Sequence, residues 1–362
     1  MDSSQTRPVS PLRHGGWVLL VALLLCLPVL GWRGMSWWAQ RGSSAVGDGQ
    51  DPASYGFDLT NLDVPPALLV AGGLPREGLR SLDHPAFLAL EQVAALNPGG
   101  HGGKFMVSSD RVVGLNQSEQ ARAYPLHLLQ WYELANDTLD GIPVLVTYSP
   151  LVDGVAVFRR PVGADGQPLV FASSGLVYQS EQLAFDRASE SLWSPLLGRA
   201  VAGPARGQQL ERLPHALVSW GQWKDQNPDT LLLARDEAVR KRRKRNPYGS
   251  YFGSDILRFP VEPVPDGVHG RLKQRATVLA AGGERVVLLH GLVAALPGER
   301  ACVRLGDQLV VARHDQGSDS LALEAGVVDW SAQAFWFAWF ATHPEDRVLG
   351  EAELGCQPEW AR

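Results

Sequence analysis

Cysteine is scarce in this chain: there are three among 362 residues, with no Cys-x-x-Cys pair and no Cys/His cluster. This excludes zinc-ribbon and thioredoxin-like sites, which need closely spaced soft ligands. No Gly-x-Ser-x-Gly surrounds Ser149, and neither a glycine-rich phosphate loop nor a dinucleotide fingerprint is present. Positive charge is not in excess, because 33 Lys and Arg face 38 Asp and Glu for a net charge of −5. Phosphate backbones need a net basic face, so nucleic acid is not expected as a partner. Neither a metal nor a cofactor is expected.

What the chain does have is one long apolar run near its start. Gly15 to Trp32 is 18 residues without a charge, about 27 Å as a helix against a hydrocarbon core of roughly 30 Å. Trp17, Trp32, Trp37 and Trp38 flank it as interfacial aromatics would, and Arg7 and Arg13 precede it. Two outcomes fit, a retained anchor or a cleaved signal peptide. Leu25 before Cys26 argues against a lipoprotein, and the bulky Trp37 and Trp38 make cleavage after Ser36 poor. An anchor over residues 15–38 is preferred, with a cytoplasmic tail over 1–14 and the bulk of the chain outside an inner membrane. Secretion after cleavage is the alternative. Cys302 and Cys356 then either pair outside the membrane or stay as two buried thiols.

Residues 39–58 are small, polar and Gly/Ser-rich, the composition of a flexible spacer. A second break over 246–270 is rich in Pro and Gly. Around it the pattern predicts an α+β fold, mainly β with a few packed helices. DRVVGL and QARAYP read as strands across a turn, and PLHLLQWYELAND reads as a helix with Pro125 at its first position. PVLVTY, GVAVFRR and LVFASSGL read as further strands, and LPHALVSWGQWKDQN as a second helix.

The two parts, 59–245 and 271–362, look related. SWGQWKDQNPDTLLL at 219–233 aligns with FWFAWFATHPEDRVL at 335–349, setting Trp220 on Trp336, Trp223 on Trp339 and Pro228 on Pro344. The spacing puts each Trp pair on one helical face, where two large rings pin a helix to a sheet.

Candidate polar groups follow. A helix through Glu133 and Asp137 would stack both carboxylates on one side. There they could share a proton, cap backbone amides or pair with Arg122. Ser174 to Trp193 is dense in hydroxyls and contains Asp186-Arg187, which suits either a polar ligand or a self-satisfied loop. The basic run Arg240 to Arg245 suits anionic headgroups or an envelope protein.

Taken in order, R-A-Y-P-L, W-x-E-x-x-N-D, G-x-P-x-x-V-T-Y, S-G-L-x-Y-x-S, D-R and S-L-W resemble a prokaryotic family catalogued as domain of unknown function 3179. The likeness runs from Val112 to Leu233 and, more faintly, through Trp336–Trp339 to Leu349. The resemblance implies a His after the Trp and two cysteines in a C-P-L-C pattern after V-T-Y, a set suited to a soft metal or to redox chemistry. Here Tyr132, Ser149 and Val152 stand at those positions, while Arg122, Glu133, Asn136, Asp137, Asp186 and Arg187 fall on family positions unchanged. The expectation is a binding or structural module that keeps the framework without the reactive atoms. The alternatives are an enzyme or polar-ligand binder using a cleft built from the carboxylates and arginines, and a subunit of an envelope complex.

Overall fold

The computed structural model describes residues 45–97, 105–116, 119–236, 247–267 and 271–356. The apolar run 15–38 and the basic run Arg240 to Arg245 lie outside them. Among the described residues no helix is long and apolar enough to cross a membrane. The chain divides into Met1–Ala45 and Val46–Arg362, and every element below belongs to the second unit.

Three short strands come first, β1 (Leu69–Ala71), β2 (Leu82–Asp83) and β3 (Phe87–Leu88). The antiparallel pair β4 (Arg111–Leu115) and β5 (Arg122–Pro125) runs into a helix, Leu126–Leu129. A meander follows: β6 (Leu134–Leu139), β7 (Ile142–Ser149) and β8 (Gly154–Arg159). After it come β9 (Phe171–Tyr178), β10 (Glu181–Asp186), β11 (Leu192–Ser194) and β12 (Arg199–Ala202), and then β13 (Ala216–Ser219), a helix Trp220–Gln226 and β14 (Leu231–Leu233).

The second half opens with the pair β15 (Arg275–Ala281) and β16 (Glu284–Leu289), leading into the helix His290–Ala295. Its meander is β17 (Arg300–Leu305), β18 (Gln308–Asp315) and β19 (Ser320–Ala325). It closes with β20 (Trp330–Phe335), the helix Trp336–Thr342 and β21 (Arg347–Val348). The chain is thus mainly β with a few helices.

One sheet has the order β13-β4-β5-β14-β3, and the largest runs β2-β6-β7-β8-β20-β15-β16-β21. Within them β13-β4-β5-β14 and β20-β15-β16-β21 share order and sense: antiparallel, antiparallel, then parallel. The first meander joins the second half's strands through Val155 opposite Gln333, so the halves interlock. The sheet β1-β9-β10-β11-β12 is an addition to the first half alone.

The Trp pairs do the packing expected of them. Trp220, Trp223, Trp336 and Trp339 are all buried. Trp223 Nε1 donates to Thr230 Oγ1 at 2.9 Å, and Trp339 Nε1 donates to Asp346 Oδ2 at 2.7 Å, seven residues on in both cases. Trp223 lies flat over β4, where a Cβ built on Gly114 would stand 2.3 Å from the indole; only glycine allows that approach.

Three expectations need correction. The helix read over Pro125–Asp137 stops at Leu129, and Asn136 and Asp137 lie on β6. The cause is Asp140-Gly141, whose positive φ values of 46° and 82° make the two-residue turn that zips β6 onto β7, Leu139 facing Ile142. Likewise LPHALVSW begins as strand β13, and its helix starts only at Trp220. The described part of the supposed spacer 39–58 is packed: Tyr55 is fully buried and its hydroxyl donates to Leu74 O at 2.7 Å. The described part of the break 246–270 is fastened by Lys273 Nζ, which donates to Tyr251 O and Ile256 O at 2.8 Å each and sits 3.3 Å above the Tyr251 ring. Cys302 and Cys356 form a disulfide, which ties β17 to the chain after the helix Glu351–Leu354.

Candidate functional site

The segment around Trp131 sorts its polar groups onto opposite faces of β6. Glu133 N closes the preceding turn on Leu129 O at 2.6 Å, and Glu133 then takes φ 63°, which swings the chain from helix to strand. Alternation along β6 sends Asp137 toward β5, where it accepts from Tyr124 Oη at 2.5 Å and from Arg122 Nη1. Arg122 also lies 4.6 Å above the Phe87 ring. Asn136 faces the other way and clamps the start of β9, donating to Phe171 O at 2.8 Å and accepting from Phe171 N at 2.9 Å.

Two other candidates also spend their bonds locally. Asp186 is fully buried and accepts from Ser189 N, Ser189 Oγ and Trp193 Nε1 at 2.6, 2.6 and 2.9 Å, closing the β10–β11 turn. Ser174 Oγ donates to Leu183 O at 2.6 Å, within the β9–β10 pair. Arg187 bridges Glu77 at 2.9 Å and Asp83 at 2.7 Å near the surface. The expected carboxylate and arginine cleft therefore does not assemble: Glu133 and Asp137 do not share a side, and Arg122, Asp186 and Arg187 are each paired elsewhere.

Glu133 and Ser149 do come together, with Glu181, Gln182 and Ser173, around a small cavity of about 10 Å³. That is the lower bound for a single water. With the Gln182 amide turned to satisfy both neighbours, its nitrogen donates to the two Glu133 oxygens at 3.0 and 3.1 Å and its oxygen accepts from Ser173 Oγ at 2.8 Å. Burial pushes the Glu133 carboxyl up to about 8. Burial also raises Glu181 to about 8, despite hydrogen bonds from Ser194 Oγ and Leu196 N that favour its charge. Burial favours the protonated form of both carboxyls.

Val152, Tyr132 and Ser149 are all buried. Val152 has no exposed surface and packs in a core with Leu196, Phe335 and Trp336. Tyr132 is buried in a different core with Leu129 and Tyr124, where burial and the nearby Asp236 raise its hydroxyl's pKa. Ser149 Oγ accepts from Gln182 N at 3.3 Å.

A second polar cluster, unforeseen in the sequence, sits where the halves meet. Asp153 is fully buried and accepts from Arg111 Nη1, Arg275 Nε, Tyr148 Oη and Gln333 Nε2 at 2.9, 2.5, 3.0 and 3.3 Å. Arg275 passes its remaining charge to Asp319, which also faces His290 and His314. Burial opposes ionisation of Asp319, but hydrogen bonds from the two histidines and the Arg275 charge outweigh it and hold its pKa well below the carboxylate range. No spacing rule flags these residues, because the pairing of β15 with β20 and of β18 with β19 brings them together.

The family described as Protein of unknown function (DUF3179) matches residues 76–329. The match stops short of the Trp336–Trp339 segment. No curated protein and no solved structure gives a significant match.

Proposed function

Because this chain belongs to the Protein of unknown function (DUF3179) family, we propose that it is a non-catalytic binding or structural module whose thiol and imidazole site has been filled by core atoms. One observation carries this: Ser149 and Glu133 line room for about one water, while Val152 and Tyr132 fill two separate cores. A reaction centre needs a cavity that admits its substrate together with convergent polar groups. The candidate carboxylates and arginines instead hold strands together.

The shared order of β13-β4-β5-β14 and β20-β15-β16-β21 supports descent of the two halves from one duplicated unit. The apolar run 15–38 supports a membrane anchor, and the Cys302–Cys356 disulfide favours an extracytoplasmic, oxidising side. The redox state of these two cysteines in acid-quenched cells tests that placement. Oxidised fits the periplasm; reduced thiols contradict it.

The closed site is tested by placing a reporter thiol within it. In the full chain, S149C is expected to react with a thiol reagent on the order of 10³-fold more slowly than the same variant in denaturant. Reaching it requires local opening of a packed core, at a cost of several kcal/mol. The unmodified chain supplies the Cys26 background. Fast modification of folded S149C would mean an open pocket and would remove this assignment.

A further inference from the structure

The second half carries two histidines where the first half has none. Ala276 opposite Leu289 matches Val112 opposite Pro125, so His290 and Leu126, which each open the helix that follows, occupy equivalent places. His314 and Tyr148 are each the next-to-last residue of an 8-residue strand. Asp319 and Asp153 each end the connection to the next strand at positive φ, 48° and 44°. The first half closes this corner with Leu126, Tyr148 and Asp153, so the fold itself does not call for imidazoles here.

In the second half the donor atoms converge. His314 Nε2 lies 2.8 Å and His290 Nδ1 3.4 Å from Asp319 Oδ1, and the three atoms fall within 4.8 Å of one another. An ion bound at about 2.0–2.2 Å to nitrogen and oxygen separates its ligands by roughly 3–3.5 Å, so only a small adjustment is needed. Supporting contacts are in place for His290 and Asp319, while His314 Nδ1 is buried without a partner among the described residues. His290 Nε2 meets Thr277 Oγ1 at 2.8 Å, so Nδ1, which now lies 3.2 Å from Asp319 O and 3.4 Å from Asp319 Oδ1, is the nitrogen that would turn to an ion, and Arg275 holds the other Asp319 oxygen. Asp319 is 43% exposed, which gives an ion a way in from solvent.

We propose that His290 Nδ1, His314 Nε2 and Asp319 Oδ1 form a three-ligand site for a divalent transition-metal ion, with water completing its shell. Two imidazoles and one carboxylate suit zinc and its neighbours, whereas magnesium and calcium take oxygen ligands. This goes beyond the closed family site, which lies at Ser149 and Val152. Thiol protection of S149C and metal binding at Asp319 can each fail without the other.

The test uses tag-free, oxidised, chelator-treated full-length protein titrated with Zn²⁺ by calorimetry. One ion per chain is expected, with H290L and H314Y, which place the first half's residues at these positions, each weakening binding by about 100-fold or more. T277V should weaken it by roughly 10-fold through loss of the supporting contact. Absence of stoichiometric binding, or unchanged binding in both histidine variants, would overturn the site. Should a variant fail to fold, the ring NMR signals of His290 and His314 in the unmodified chain decide: movement of both at one equivalent of Zn²⁺ supports the site, and no movement overturns it.

Discussion

Replacing Asp153 with alanine is expected to lower the unfolding free energy by about 3–5 kcal/mol, measured by urea denaturation at pH 7. The carboxylate is fully buried and bonded to Arg111 from the first half and to Arg275 and Gln333 from the second. Burial alone would raise its pKa, but the Arg111 and Arg275 charges prevail and lower it. Its truncation leaves two largely buried guanidinium groups facing each other across a gap without a counter-charge, the costly way to break a buried pair. D319A is the control: that side chain is 43% exposed, so water screens what Arg275 loses and a cost of about 1 kcal/mol is expected. Because the folded pKa of Asp153 is depressed, its contribution is present above the unfolded carboxylate pKa and lost as pH falls through the folded value. Equal costs for D153A and D319A would show that the junction is not organised around Asp153.

The second large effect is the pH dependence set by the two buried glutamates. Glu133 and Glu181 each rise from the ordinary glutamate value of 4.5 to about 8 in the folded chain. Between those values the unfolded state releases protons that the folded state keeps, so stability falls as pH rises. The slope approaches about 1.4 kcal/mol per pH unit for each group and levels off above pH ~8. E133Q removes one group's share. It is expected to match the parent near pH 4.5 and to exceed it by a few kcal/mol at pH 9, read as the change in unfolding midpoint across the series. E181Q is expected to gain less, because an amide placed against Ser194 Oγ and Leu196 N cannot accept both bonds as well as the carboxyl does.

Local chemistry is legible in the sequence and distant pairing is not. The strands around Val112 and Tyr124, the turn-bounded runs from Pro143 to Arg159 and the Trp223 and Trp339 helices all follow from short-range pattern. The helix expected over 125–137 is cut short although Leu126 to Leu134 does carry helical spacing, because the deciding feature, Asp140-Gly141, lies beyond its end. The described part, 45–58, of the spacer expected over 39–58 is packed instead, since composition does not reveal that Tyr55 reaches Leu74. Glu181, Asp153 and the His290, His314 and Asp319 set are invisible for a common reason: each meets its partners through strand register, which no spacing along the chain encodes.

The state of the Glu133 carboxyl probes the proposed filling of the site around Ser149 most directly. Carbon-13 NMR of that side chain, assigned by its disappearance in E133Q and followed from pH 4 to 9, is predicted to show a titration midpoint near 8, as expected of a carboxyl buried beside Gln182 and Ser149. A midpoint near that of a solvated glutamate, about 4.3, would mean that water and solutes reach Ser149, and the module would have to be regarded as holding an open site.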